Sequence, residues 1–340
     1  MTGTRQPTVH DVAAAAGVSR QTVSNVLNTP AIVKPATRER VELAIAALGY
    51  RTHASARRLR TRKSSTIGIR LDPVTNGISG SVLDRFLHAV TERADTRGMR
   101  ILLFTARDPD DEIRQFERLL DGADVDGFLL TSTTYDDPRT EWLIANGADF
   151  VTFGRPWGVA DVYDDAHRWV DVDGHHGLAE AAREVLELGA QRIAYLGWPP
   201  SSGTGDERRR GWRDTMEAAG VDGLDALELA CEDSVGLASE AVRALVDSGT
   251  AFDGLVCASD TLALGALMVL GSSVPIVGYD NTPVASAVGL ASVEQPLEQA
   301  AAAALELLLD ERPGGDLIGE PGSAGDPRHR LLRPEVVWRR

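Results

Sequence analysis

Two cysteines, Cys231 and Cys257, are too few for a disulfide framework in 340 residues, and both can serve as small core residues in a reducing compartment. No run of about 18 apolar residues occurs, so no segment is expected to span a membrane. No apolar signal segment opens the chain, which argues against an exported binding protein and for a cytoplasmic one. Catalytic chemistry is equally scarce. His175 and His176 are adjacent, so on a helix they diverge and cannot share one metal. Asp161, Asp164, Asp165, Asp171 and Asp173 match no calcium-loop spacing and read as a solvated acidic loop. Ser201-Ser-Gly-Thr-Gly205 lacks the lysine of a phosphate loop and reads as a lid, and no nucleophile elbow is present. No catalytic residue, cofactor or metal site is therefore expected, and nothing argues for an enzyme.

Acidic residues are missing from one place in particular. The chain carries a net charge of −15, yet residues 1–63 hold eleven Lys or Arg against three acids. A basic head on an acidic body suits attraction to phosphate by the head alone. Within that head, Thr8-Val-His-Asp-Val-Ala-Ala-Ala-Ala-Gly17-Val-Ser19-Arg-Gln-Thr-Val-Ser-Asn-Val-Leu-Asn28 reads as two short helices broken at a glycine. Thr8 and Asp11 suit a capping box, Gly17 a left-handed stop, and Ser19 the cap of the second helix. Val9, Val12 and Ala13 form one apolar face, and Val18, Val23 and Leu27 close a small core. Arg20, Gln21, Ser24, Asn25 and Asn28 remain on the outer face, hydrogen-bonding groups suited to base edges or phosphates. An ordinary helical hairpin with a solvated polar face is the alternative. A third helix, Pro35 to Leu48, is expected from Pro35 at its first position and from Val41, Ile45 and Leu48 on one face.

Residues 8–63 resemble the DNA-binding head and hinge of the LacI family of bacterial transcriptional regulators. The likeness is carried by Asp11-Val-Ala, Ala16-Gly-Val-Ser, Thr22-Val-Ser, Thr37-Arg38-Glu-Arg-Val41, Leu48-Gly-Tyr50 and Ala56-Arg57-Arg58-Leu59. It implies that Arg20, Gln21 and Asn25 face the major groove, while Thr8, Ser19, Thr22, Ser24, Asn28 and Arg38 hold phosphates. It also implies that residues 51–63 form a hinge helix entering the minor groove, with Ala56 and Arg57 beside a wedge at Leu59. From composition alone, that segment has too few apolar groups to stay helical by itself, and a flexible basic linker is the alternative. Two departures stand out: Lys34 replaces the usual capping serine, and Thr52-His53 the usual Pro-Asn.

Residues 64–340 suit two subdomains, the second beginning near residue 170. Apolar runs at Thr66-Ile-Gly-Ile, Ile101–Phe104, Gly127–Leu130, Phe150–Phe153, Arg192–Leu196, Gly254–Cys257 and Pro275–Gly278 alternate with amphipathic stretches such as Val82–Arg97, Leu178–Leu188 and Ser234–Ser248. Such alternation predicts parallel sheets covered on both faces, with ligands beyond the carboxyl ends of the strands.

This part is also similar to the LacI family, whose effector domain has the fold of periplasmic sugar-binding proteins. The landmarks are Gly68-Ile with Asn76, Leu188-Gly-Ala-Gln-Arg192, Arg208-Arg-Arg-Gly211-Trp212, Ala258-Ser-Asp260, Val277-Gly-Tyr-Asp280-Asn281 and Gln295-Pro296. The resemblance implies that Arg208 and Asp280 hold the ligand, with Ser259 and Asp260 as further candidates. Taken without it, Arg208 reads rather as a surface charge and Asp280 as a turn cap, and Asp260 is equally well placed as a helix cap. Asn76-Gly-Ile-Ser79 replaces an aromatic segment of the family, and no aromatic stands near Glu232-Asp233-Ser234. Those losses favour a carbohydrate over a nucleobase, with Trp157 (in Gly154-Arg155-Pro156-Trp157) and Trp198 as candidate apolar walls and Arg155 beside them, although each tryptophan taken alone reads equally as core or rim packing.

The expectation is thus an all-α helix-turn-helix head, 1–50, a hinge, 51–63, and a two-lobed α/β effector and dimerisation domain, 64–340. Its function would be that of a homodimeric repressor released from a pseudo-palindromic double-stranded operator by a sugar. The alternative is a corepressor-type regulator that binds a nucleobase or other metabolite. No heptad tail for tetramer formation is expected after residue 340.

Overall fold

Gly17 at φ 63° ends the first helix of the head, a backbone conformation that costs a residue with a side chain more than it costs glycine. The computed structural model describes residues 7–50, 64–71, 80–310 and 328–339. Two compact units emerge, Met1–Lys63 and Ser64–Arg340. In the first, α1 (Val9–Ala16), α2 (Arg20–Asn28) and α3 (Pro35–Leu48) enclose Val12, Ala13, Ala16, Val23, Val26, Val41, Ala44 and Tyr50. Lys34 occupies the cap position of α3 without a side-chain cap bond, as an ammonium must, and Pro35 begins the helix. Leu48 departs from expectation: it is 37% exposed. Gly49, at φ 62°, turns the chain at the end of α3 and delivers Tyr50 to the core instead.

The second unit contains two six-stranded sheets. The first has the order β11-β5-β4-β3-β1-β2, from β1 (Thr66–Arg70), β2 (Arg100–Phe104), β3 (Gly127–Leu130), β4 (Phe150–Phe153), β5 (Trp169–Val172) and β11 (His329–Leu332). All its pairings are parallel, with Ile67 opposite Ile101 and Gly127, and His329 opposite Trp169. The second sheet has the order β12-β10-β9-β8-β6-β7, from β6 (Ile193–Gly197), β7 (Glu228–Ala230), β8 (Gly254–Cys257), β9 (Ile276–Tyr279), β10 (Ala291–Glu294) and β12 (Glu335–Val337). Only the β10–β12 pairing in it is antiparallel.

Strands buried on both faces need helices on both faces. In the first lobe, α4 (Gly80–Thr96) and α12 (Leu297–Leu308) pack Phe86, Val90, Ala94, Ala300, Ala304 and Leu305 against Ile67, Leu129 and Val151. On the other face, α5 (Pro109–Asp121) and α6 (Pro138–Ala145) bring Phe116, Leu119 and Leu143 onto Phe104 and Phe128. The second lobe is covered by α7 (Gly174–Glu187), α8 (Gly203–Ala218), α9 (Val235–Asp247) and α10 (Asp260–Leu270), around a core that includes Trp212, Tyr195 and Tyr279. The short α11 (Pro283–Ala287) follows β9. No helix among the described residues is long and apolar enough to cross a membrane.

Two loops differ from expectation. Asp171 lies inside β5, buried, and Asp173 caps α7 by accepting from the His176 amide, so neither belongs to a solvated acidic loop. Ser202 to Gly205 is no lid: Ser202 caps α8, and Gly203 and Gly205 lie in its first turn.

Candidate DNA interface and effector cleft

On the head, Ser19 caps α2 by accepting from the Thr22 amide at 3.1 Å, and the Ser19 and Thr22 hydroxyls stand 2.9 Å apart. Arg20 and Gln21, the first residues of α2, are exposed beside them. Arg20 Nη1 donates to His10 Nε2 at 3.2 Å, and Gln21 Nε2 donates to Asn25 Oδ1 at 3.1 Å. Because a guanidinium has only donors, that contact requires His10 Nε2 to carry its lone pair. Three of the side chains expected at base edges are therefore already held by neighbours. Thr8 is differently committed: its amide and its hydroxyl both donate to Asp11 Oδ2 at 2.7 Å, which leaves neither hydrogen for a phosphate. Arg38, on α3, lies 3.8 Å from Glu42. The Asn28 side chain and the hinge positions Ala56, Arg57 and Leu59, like Asn76, lie outside the described residues.

In the second unit, every expected effector residue follows the carboxyl end of a strand or lies on a helix facing one, the usual address of ligands in parallel sheets. Trp198 follows β6, Ser259 and Asp260 follow β8, Asp280 follows β9, and Arg155 and Trp157 follow β4. Arg208, on α8, is 4% exposed and Asp280 5%, which excludes a surface charge and a solvated turn. The cap of α11 is Thr282, not Asp280. Arg208 Nη1 donates to the Ala258 carbonyl at 2.6 Å, its guanidinium lies 3.6 Å from the Tyr279 ring centroid and 5.2 Å from that of Trp198, and Nη2 is 3.8 Å from Asp280 Oδ1. Arg208 Nε is buried without a protein partner.

Gln295 Nε2 donates to Asp280 Oδ1 at 2.7 Å. Burial pushes the Asp280 carboxyl up to about 7, against the pull of Arg208. Ser259 caps α10, accepting from the Leu262 amide, and donates to Asp233 Oδ1 at 2.5 Å. Asp260 accepts from the Thr282 amide and the Ser292 hydroxyl, both at 2.6 Å. Gly278 makes room for it, since a Cβ there would lie 2.2 Å from Asp260 Oδ1. Ser259 and Asp260 thus brace the loops that carry Trp198 and Asp280. Asp233, in the segment that carries no aromatic of its own, takes the Trp198 indole hydrogen at 3.1 Å.

From the first lobe, Arg155 donates to Asp171 Oδ2 at 2.8 Å and to Glu207 of α8. Trp157 lies directly over Gly203, where a Cβ would meet its ring at 2.2 Å, and its Nε1 is buried without a partner. Tyr135 donates to Asp206 Oδ2 at 3.3 Å. Gly203, Asp206 and Glu207, three and four residues apart, place these contacts on one face of α8. Sequence reasoning missed Tyr135, Asp206 and Glu207, because the signal was a pairing between lobes. It also missed Arg139, which donates to the Thr131 and Ser132 carbonyls, to Asp137 and to Glu112, anchoring the loop ahead of Tyr135. Among the described residues, no group of three His, Cys, Asp or Glu is arranged to hold a metal.

Comparison with known proteins places this geometry. Residues 8–53 match the model for bacterial regulatory proteins of the lacI family, and residues 182–340 match a periplasmic binding protein-like domain. The HTH-type transcriptional regulator CelR of Thermobifida fusca is 35% identical over 328 residues, 91% of this chain and 93% of that protein. The HTH-type transcriptional regulator GalS of Salmonella typhimurium is 29% identical, over 90% of each chain. A structure of a CelR–cellobiose complex superposes with a TM-score of 0.67 at 30% identity, covering 98% of this chain and 99% of that one. The lac repressor dimer bound to operator and an anti-inducer shares the fold, with a TM-score of 0.77 at 22% identity over 98% of each chain.

Proposed function

The chain belongs to the LacI family of bacterial regulatory proteins and is a helix-turn-helix transcriptional regulator, and on that premise we propose that it is a homodimeric repressor released from its operator by a sugar. The observation that carries the effector reading is the buried Arg208–Asp280 pair with Arg208 Nε unpartnered. A sugar hydroxyl can both accept from a guanidinium and donate to a carboxylate, so one such pair holds it from two sides. Trp157 supplies an apolar wall and an indole hydrogen, while Arg155 holds that wall's loop to Glu207. The relative in complex with cellobiose supports a disaccharide as the first compound to try.

On the head, Arg20, Gln21 and Asn25 read base edges in the major groove. Ser19, Thr22, Ser24, Asn28 and Arg38 hold phosphates, and Thr8 does so only after releasing Asp11. Ala56, Arg57 and Leu59 enter the minor groove as a hinge. Effector and operator then oppose one another through one reciprocal coupling free energy, typically about 1–3 kcal/mol.

The experiment is a melting series with cellobiose, galactose, maltose and nucleobases, followed by operator titration with whichever compound stabilises the protein. A ligand of the folded state raises the melting temperature with the logarithm of its concentration. Stabilisation by a sugar with weakened operator binding is the expected outcome. Stabilisation by a nucleobase with tightened operator binding would replace this reading with the corepressor one.

A further inference from the structure

Asp280 and Asn281 are consecutive residues with side chains at φ 101° and φ 45°. Such a backbone persists only where its surroundings fix it from several sides. Three amides of this turn are tied within the second lobe: Asp280 N to the Val293 carbonyl at 2.8 Å, Asn281 N to Ser292 Oγ at 2.9 Å, and Thr282 N to Asp260 Oδ2 at 2.6 Å. The Asp280 carbonyl is held from the other lobe. Arg85 Nη1 donates to it at 3.4 Å, while Nη2 donates to Glu294 Oε1 at 2.6 Å. Glu294 in turn accepts from the Asn281 side chain, so the fork holds Asp280 directly and Asn281 through Glu294, while Arg339 of the second lobe donates to the Asn281 side-chain oxygen.

Arg85 lies on α4, and its neighbour Phe86, with Val90 and Ala94, seats that helix in the first-lobe core. A planar fork of this kind has little freedom once both arms are bonded, so a displacement of α4 relative to β10 must either move the Asp280 turn or break the fork. We propose that Arg85 is a positioning residue that holds the strained Asp280–Asn281 turn from the first lobe and links the effector-facing carboxylate to that lobe. The linkage half of this rests on the reading of Asp280 as an effector residue; the positioning half does not.

The test uses the full-length protein and Arg85→Met, which keeps the stem and removes the fork, with Arg85→Lys as the conservative variant. Hydrogen exchange of the free proteins is read first. In Arg85→Met, amides 280–282 should exchange about tenfold faster than in the parent while α9 is unchanged, and Arg85→Lys should recover part of the protection through Glu294. Unchanged exchange at 280–282 would overturn the positioning role, and a uniform increase over the whole second lobe would reduce it to general stability. Cellobiose is then the probe of linkage, on an operator selected from random DNA by the parent. Its effect on operator affinity should collapse toward onefold in Arg85→Met, with a smaller change in its own affinity for the protein. A full cellobiose effect in a variant whose turn has loosened would overturn the linkage. If cellobiose does not bind the parent, the disaccharide reading falls, and the positioning role is decided by the exchange result alone.

Discussion

Arg208 Nη2 and Asp280 Oδ1 stand 3.8 Å apart with both side chains buried, an ion pair that stops short of a hydrogen bond. The guanidinium is spent instead on the Ala258 carbonyl and the Tyr279 ring, and the carboxylate on Gln295. A pair this incompletely satisfied gains from a polar ligand and contributes little to stability without one.

Asp280 therefore predicts a pH signature. Burial raises its carboxyl to about 7 in the folded chain from an ordinary value of 3.8. A raised carboxyl favours the folded state while it is protonated in both states, and that advantage is lost as pH rises from about 4 through about 7. In urea unfolding at a series of pH values, Asp280→Asn should gain stability relative to the parent across this window and run parallel to it above. Parallel curves throughout would show that the carboxyl is not perturbed.

Arg155 stands between two largely buried carboxylates, Asp171 and Glu207. Arg155→Ala strands Asp171 and leaves Glu207 with only the exposed Arg210 at 3.8 Å, and removal of one partner from such a set costs about 3 kcal/mol. Adding Glu207→Gln neutralises one of the two charges, so the double variant should lose less than the two single losses added together. Strict additivity in chemical denaturation would mean that the contact between lobes carries no energy.

Gly203 and Gly211, both in α8, should respond differently to alanine. At Gly211 a Cβ would lie 2.1 Å from the His175 carbonyl oxygen, a backbone atom that cannot rotate aside, so α7 and α8 must separate. We expect a loss of about 2 kcal/mol in thermal unfolding, within the usual range for overpacking. At Gly203 the obstacle is the Trp157 ring, a side chain, so Gly203→Ala should keep most of the stability but change the response to sugar. Equal destabilisation of the two variants would argue that Trp157 is a fixed core group.

Gln21 and Asn25 form one hydrogen-bonded unit on the head. Gln21→Ala should cost about 1–3 kcal/mol on the selected operator and relax preference at particular base pairs. In a double-mutant cycle with Asn25→Ala the losses should be less than additive, because each single variant already disrupts the unit. Arg38→Ala should weaken all sequences alike and lower the salt dependence of binding. A base-specific effect of Arg38 in binding selections would reverse that assignment.

The alternation of apolar runs made both sheets legible wherever a strand was apolar throughout, as at Gly127–Leu130 or Gly254–Cys257. Two of the strands that escaped carry a polar residue whose partner is distant in sequence. Asp171 interrupts β5 and is answered by Arg155, and Glu294 ends β10 and is answered by Arg85 from the other lobe. The helix-turn-helix was legible because its signals are local: a cap at Ser19, a left-handed Gly17 and a short apolar period. Arg208 and Asp280 could be singled out only through a family pattern, since their burial depends on each other's segments, including Tyr279, and on Ala258 and Gln295 from two further ones. Tyr135 and Glu207 carried no local signal, for neither means anything until the lobes meet.

The route of the chain between the sheets has a mechanical consequence. It passes from β5 to α7 at residue 173, returns from β10 to α12 at residues 295–296, and crosses again from β11 to β12 at residues 333–334. Three short straps, rather than one, therefore join the two lobes. A single proteolytic cut in any one strap would leave the halves joined by the other two.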